Sequence, residues 1–264
     1  MHCVDTIASE TPTVRRLSLR FKKENLPSFK SGQWVDFHIP GVQQIGGYSI
    51  TSTPAQLLQE GVLELAVKQA RYPPARWVHE QAQPGDVVKV EVGGDFHLTP
   101  GDDRRPLLLI AGGIGITPLV SIFSHAVQSW AGADAEAEAG SSAATGPQAV
   151  LLYSAPSLDE FAFLSRLEQL AASHPGQAIM RLFATGLAQD SSPSLPAQHR
   201  RFLQRRRIAV QDLEAALASL QMGRPGTQQP LVFICGPPAM TEALNTCLLK
   251  LGLDAMNIRF ERWW

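Results

Sequence analysis

Leu107-Leu-Leu-Ile-Ala-Gly-Gly-Ile-Gly-Ile-Thr-Pro118 is the stretch whose reading decides the fold of this chain. Its first five residues, Leu107 to Ala111, are all apolar and predict a buried strand. Gly112, Gly113 and Gly115 let the backbone turn sharply and lie close to a bulky neighbour. Pro118 suits the first turn of a helix, where its missing N–H is no loss. Behind it Leu119, Ile122, Phe123, Ala126, Val127 and Trp130 recur at helical spacing. A strand, a glycine turn and a helix N-terminus together form an anion site, because unpaired amides and the positive end of the helix dipole converge on a phosphate. The plainer alternative is a tight turn with no ligand, so the flanking sequence has to decide.

Downstream, strands alternate with amphipathic helices. Strands are expected over Val150 to Tyr153, Ala178 to Phe183, Leu231 to Cys235 and Ile258 to Phe260, and helices over Val210 to Leu220 and from about Ala239 to Leu251. Ser157-Leu-Asp-Glu160 fits a capping box opening a further helix, with Leu158, Phe161, Leu164, Leu167 and Leu170 behind it. This alternation implies a Rossmann-like parallel sheet with helices on both faces. The Ala-, Gly- and Ser-rich run from Ala131 to Gln148 and the Ser- and Pro-rich run from Thr185 to Gln198 read as surface loops.

Upstream the period is two. Leu17, Leu19 and Phe21 alternate with Arg16, Ser18 and Arg20, and the pattern repeats at Val35-Phe37-Ile39, Leu63-Leu65-Val67 and Val88-Val90-Val92. Lys30-Ser-Gly32, Pro40-Gly41, Gly46-Gly47, Glu60-Gly61, Pro84-Gly-Asp86 and Gly93-Gly94 punctuate these runs as turns, and Trp77 to Gln81 reads as one helical turn. Residues 1–104 are therefore expected to form an antiparallel barrel or sandwich, and 105–264 the parallel-sheet domain.

A net charge of -1, with 44% hydrophobic and 18% charged residues, supplies no electrostatic reason to bind nucleic acid or a membrane surface. No apolar run approaches the ~18 residues that span a bilayer. The three cysteines, Cys3, Cys235 and Cys247, and the seven histidines show no metal-ligand spacing. The start Met1-His-Cys-Val-Asp5 is not a secretory signal, and the few cysteines point to a reducing compartment.

Three further stretches carry chemistry. In Gly46-Gly-Tyr-Ser-Ile-Thr-Ser52, Tyr48 offers a flat ring and Ser49 a hydroxyl beside it, a pair suited to stacking on a flavin and bonding its reducible nitrogen; the alternative is an exposed strand face. Cys235-Gly-Pro-Pro-Ala-Met240 leaves a strand's carboxyl end, as the Gly115 turn does, so Cys235 and Gly115 are expected to face one dinucleotide from two sides, with Met240 packing under its helix. Phe260-Glu-Arg-Trp-Trp264 ends in two indoles that are costly to leave in water. They dock in a hydrophobic groove, or one of them covers an aromatic cofactor.

In motif order over nearly the whole chain, the sequence resembles the ferredoxin–NADP reductase superfamily. Gly46-Gly-Tyr-Ser-Ile50, Pro73-Pro-Ala-Arg-Trp-Val-His79, Val92-Gly-Gly94, Cys235-Gly-Pro-Pro238 and the terminal Glu-Arg-Trp-Trp264 are most similar to the oxidoreductase NAD-binding domain-containing protein 1 family. The resemblance implies a flavin-binding β-barrel followed by a nicotinamide-nucleotide domain, and passage of a hydride from NAD(P)H to FAD. Tyr48 and Ser49 would hold the flavin ring with Ile50 and Thr51 nearby in the cofactor site, and Arg76, Trp77 and Val78 would lie beside its phosphates. Gly112, Gly113, Ile114, Gly115, Ile116 and Thr117 would bind the dinucleotide phosphates. Cys235, Gly236 and Pro237 would lie near the nicotinamide, and Trp263 or Trp264 would shield the flavin. Tyr48, Ser49, Cys235 and Trp264 would thus surround the reacting rings. The resemblance also implies a mitochondrial location, with the cytosol as the alternative.

The chain departs from the superfamily at two phosphate ligands. The arginine of Arg-x-Tyr-Ser is here Gly46, and a usual serine is Ala75. Arg76 either compensates or is a solvated surface charge. Tyr153-Ser-Ala-Pro-Ser157 has no arginine for a 2′-phosphate and no acid for a bare ribose, and Arg205, Arg206 and Arg207 read better as a solvated helix start, which favours NADH slightly. The electron acceptor is open, an electron-carrier protein or an iron–sulfur partner on another chain among the options. From a different class, a non-catalytic NAD(P)(H)-binding interaction module with a decayed flavin site also fits Gly46 and Ala75.

Overall fold

The alternation in the first third of the chain builds a closed six-strand antiparallel barrel. Its strands are β1 (His2–Thr11), β2 (Val14–Arg20), β3 (Trp34–His38), β4 (Gly46–Ser49), β5 (Val62–Lys68) and β6 (Val87–Gly93), in the order β4-β3-β6-β1-β2-β5. Ile50 bridges Leu65, and the Thr51 amide donates to the Glu64 carbonyl at 2.9 Å, so the continuation of β4 joins β5 and removes the open edge. Val4, Leu17, Leu19, Val35, Phe37, Leu63, Leu65 and Val88 point inward and are buried. This computed structural model describes residues 2–136, 148–186, 203–220, 222 and 228–262.

The second half is a six-strand parallel sheet: β7 (Leu107–Gly112), β8 (Ala149–Ala155), β9 (Ala178–Ala184), the short β10 (Leu203–Gln204), β11 (Leu231–Gly236) and β12 (Ile258–Arg262), ordered β10-β9-β8-β7-β11-β12. The helices are α1 (Pro54–Glu60) and α2 (Pro73–Glu80) in the barrel half, then α3 (Ile116–Glu136), α4 (Leu164–Ser173), α5 (Val210–Ser219) and α6 (Pro238–Lys250). The unbroken apolar run of β7 has a simple cause: both of its faces are buried. Leu107, Leu109 and Ala111 pack with Leu119, Phe123 and Leu167 of α3 and α4. Leu108 and Ile110 pack with Leu213, Leu244 and Leu248 of α5 and α6.

Between Gly93 and Leu107 the chain crosses from one sheet to the other. Phe96 and Leu98 join the α3 side of the second core, and the Phe96 ring sits edge-on to Phe233 at 5.2 Å. The two halves are fastened along β5. Ala66 on its outer face enters the second core, and the Ser121 hydroxyl of α3 donates to the Ser52 carbonyl at 2.7 Å.

Several local expectations are corrected. Gly46 and Gly47 lie within β4 rather than in a turn, paired with Phe37 and Asp36. The expected turn at Trp77 to Gln81 is the end of the eight-residue α2, which starts at Pro73 because proline fits a helix's first positions. The unexpected α1 is capped by the Thr53 hydroxyl, which accepts from the Gln56 amide at 3.2 Å. The capping box at Ser157 does not form: Ser157 bonds Asp159 instead, only a 3₁₀ turn covers Leu158–Glu160, and α4 begins at Leu164. Other partners take the amides that a helix from Ser157 would use. The Ala162 amide donates to the Tyr153 hydroxyl at 3.0 Å and the Phe163 amide to Glu10 at 2.7 Å, with Phe163 at φ 60°. The run expected as a loop from Ala131 is helical through Glu136, while 137–147 and 187–202 lie outside the described residues.

Candidate functional site

The strand order reverses at β7: β8, β9 and β10 lie to one side, β11 and β12 to the other. Ligands bind at the carboxyl ends of parallel strands where the order reverses. A cavity of about 520 Å³ lies there. Its walls include Gly112 and Gly113 at the end of β7, Ser154 to Pro156 at the end of β8, Thr185 after β9 and Pro237 after β11. The helical run that becomes α3 starts as a 3₁₀ turn at Gly113, with Gly113 at φ 55°, so the N-terminal pole of a long helix meets this cavity.

Lys68 and Arg207 also line the cavity, and they place two cations around a space suited to an anionic dinucleotide. Lys68 ends β5 and reaches in from the barrel. Its only signal in the sequence is its place directly after the alternating Leu63-Leu65-Val67 strand. Arg207 sits at the foot of α5. Its neighbour Arg206 is engaged with Asp212 at 2.8 Å and lies over the Phe183 ring.

The Gly-x-Gly residues divide their work. Gly112 and Gly113 face the cavity, whereas Gly115 is buried: a Cβ there would run into the carbonyl of Cys235. Gly115 therefore serves a backbone-on-backbone contact between the β7 and β11 ends, and it is not among the residues that line the cavity. Ile116 and Thr117 are buried, the Thr117 hydroxyl donating to the Ile114 carbonyl at 2.9 Å, while Ile114 is half-buried. Cys235 is fully buried in the α3-side core with Phe233 and Ala111, so its thiol is not presented to the cavity. Gly236 lies under Met240, whose methyl and sulfur also cap Gly112. Met240 lines the cavity as well as packing beneath α6, which the sequence reading did not expect.

On the barrel side, the hydroxyls of Tyr48, Ser49 and Thr51 are buried and have no hydrogen-bond partner in the protein. Such atoms each cost about 1–3 kcal/mol when left unpaired. All three lie on β4 and its continuation, where such unpaired groups call for an explanation. Burial pushes the Tyr48 phenol well above the ordinary tyrosine range, so it stays a neutral hydroxyl. The Tyr48 ring leans over Gly46, 2.5 Å from where a Cβ would stand, and meets Phe37 edge-on at 5.7 Å. Ile50 is buried in the barrel core.

Of the α2 residues, Val78 is fully buried and Trp77 half-buried, its ring 6.2 Å from that of Phe37. Arg76 is exposed and paired with Glu80 at 3.0 Å. Trp263 and Trp264 lie outside the described residues. Among the described residues no cluster of His, Cys, Asp or Glu is arranged to hold a metal, and no helix is long and apolar enough to cross a membrane.

Residues 109–246 match the family model described as the oxidoreductase NAD-binding domain. Among solved structures, the chain is similar to the flavohem-like FAD/NAD-binding domain of nitric oxide dioxygenase from Vibrio cholerae (TM-score 0.71, 18% identity, 99% of this chain and 97% of that one). It is also similar to the ferredoxin–NADP⁺ reductase of Plasmodium falciparum (TM-score 0.73, 15% identity, 99% and 95%). The molecule thus has the ferredoxin reductase-like, NAD-binding oxidoreductase fold. A curated relative from Danio rerio, oxidoreductase NAD-binding domain-containing protein 1, is 37% identical over 260 residues, 98% of this chain and 89% of the relative; its human counterpart is 36% identical over 259 residues. The chain belongs to the oxidoreductase NAD-binding domain-containing protein 1 family.

Proposed function

We propose that this protein is a flavin-dependent NAD(P)H oxidoreductase. The observation that carries the reading is the row of unpartnered buried hydroxyls at Tyr48, Ser49 and Thr51. They belong to the barrel strand whose continuation is bonded to α3, the helix that starts at the dinucleotide cavity. A flavin ring offers carbonyl and ring-nitrogen partners to such hydroxyls, and the Vibrio cholerae neighbour is itself a FAD/NAD-binding domain. A bound flavin supplies a ring that accepts a hydride and can pass electrons on singly.

The protein's own part is placement and exclusion of water. Gly112, Gly113 and the start of α3 hold the dinucleotide phosphates, with Lys68 as their counter-charge. Pro237 and Met240 wall the β11 side, where the nicotinamide would lie. Arg207, beside Ser154 and Thr185, lies on the side of β8 and β9, where the adenosine would lie. A cation there suits a 2′-phosphate, so NADPH is proposed as the better donor, against the slight preference for NADH drawn from sequence. A covering role over the flavin is proposed for Trp263 or Trp264, as the family resemblance implies.

The test is anaerobic mixing of the protein, added flavin and NADPH or NADH. Protein-dependent bleaching of the flavin's visible band is expected. Nucleotide binding with the band unchanged would replace this reading with the non-catalytic module, which Gly46 and Ala75 favour.

A further inference from the structure

A second cavity lies between the two halves, and it shares no lining residue with the dinucleotide cavity. We propose that it binds a small phosphate monoester with an apolar body, independently of the dinucleotide.

This cavity has a volume of about 530 Å³. Its walls come from segments far apart in sequence: the turn before β3, the start of α1, the linker from β6 to β7, and α3. The turn and the linker are pressed together. The Leu98 amide donates to the Ser31 carbonyl at 3.1 Å, and a Cβ on Gly32 would run into the Phe96 carbonyl. Buried Phe29 and Leu98 supply an apolar wall, with Pro54 and Pro100 beside them.

The polar lining is one-signed. Lys30 comes from the turn, Arg104 from the linker and His125 from α3. Among the described residues no acid lines the cavity, and neither Lys30 nor Arg104 is engaged by a carboxylate. Asp102, next to the lining Gly101, is already taken up by Thr99 and Arg259. Ser31 also lines the cavity. It is 2% exposed, and its hydroxyl has no hydrogen-bond partner in the protein. A ligand oxygen that accepts from this hydroxyl removes the cost of leaving it unpaired. An apolar wall with a few convergent polar groups is the usual form of a small-molecule site. Lys30, Arg104 and the Ser31 hydroxyl match the three oxygens and the nearly doubled charge of a phosphate monoester. A carboxylate brings half that charge, and inorganic phosphate brings nothing to the apolar wall.

The experiment is calorimetric titration of the purified full chain with phenyl phosphate, inorganic phosphate and benzoate, with and without saturating NADPH. Phenyl phosphate should bind at one site, about tenfold or more tighter than either other anion, and equally well with NADPH present. Lys30→Gln and Arg104→Gln should each weaken it about tenfold and leave NADPH binding unchanged. Ser31→Ala should weaken it about fivefold while the melting temperature stays level or rises, which loss of a structural hydroxyl would not do. Absence of saturable binding, equal binding of the three anions, or displacement by NADPH, which would put the anion at Lys68 and Arg207 instead, would overturn the proposal. None of these results bears on flavin reduction, so the flavin reading is tested separately.

Discussion

A Cβ on Gly115 would collide with backbone, namely the carbonyl of Cys235, and backbone in a paired central strand cannot step aside. Gly115→Ala should therefore lower stability by about 3 kcal/mol, read as a fall in the urea midpoint, and should impair nucleotide binding even where the protein still folds. Arg207 is a contrasting case, since it is exposed and its removal leaves the fold alone. Arg207→Ala should raise the dissociation constant for NADPH by about tenfold, roughly 1.4 kcal/mol, and leave that for NADH within twofold. Equal effects on both coenzymes would remove Arg207 from the proposed 2′-phosphate site.

At the scale of elements, the linker from β6 to β7 shows how a buried acid reports on pH. Asp102 is pushed up by burial, but the amide and hydroxyl of Thr99, at 2.7 and 2.6 Å, and Arg259, at 2.8 Å, outweigh this and hold it below the ordinary aspartate range. The folded-state pKa is thus the lower one. The stabilisation is complete above the unfolded value of about 3.9 and is lost as pH falls below it through the folded value. Asp102→Asn should cost about 1–2 kcal/mol at neutral pH and flatten the acid limb of the stability profile, measured by thermal melts from neutral to acid pH. The elements themselves were largely legible: period two at Leu17-Leu19 and the apolar run of β7 were each read as the strands they form, because burial on one face or two leaves that imprint directly. Ser157 misled because local capping chemistry lost to distant partners, Glu10 and Tyr153, that no local pattern reveals. The candidate site divides the same way. Gly112 and Gly113, which line the cavity, stand out in the sequence by type and order, whereas Lys68 and Arg207 reach it from sequence positions far from the glycine turn, and only the folded chain brings them there.

At the scale of the whole molecule, the proposed hydride transfer requires the two halves to keep their relative placement, and a small polar joint contributes to it. The Arg166 guanidinium of α4 lies 3.3 Å from Glu64 of β5, Arg16 approaches the same carboxylate at 3.9 Å, and Glu160 accepts from the Thr13 hydroxyl. Glu64 is nearly buried, and its backbone also holds the continuation of β4, accepting from the Thr51 amide and donating to the Ser52 hydroxyl. The joint thus ties the strand with the unpartnered hydroxyls to the nucleotide half. Glu64→Gln keeps the shape but removes the charge facing Arg166, and breaking such a partly buried pair should cost about 2 kcal/mol. Nucleotide binding relies mainly on the β7, β8 and β11 ends within one half, with Lys68 the contribution from the barrel, and should be nearly unchanged. Flavin reduction needs both rings in register and should slow by about tenfold or more, since small misplacements of reacting groups are costly. Stopped-flow reduction at saturating NADPH separates the two effects: a slower hydride step with an unchanged nucleotide dissociation constant is expected, and an unchanged step would show that the barrel and the sheet keep their alignment without this pair.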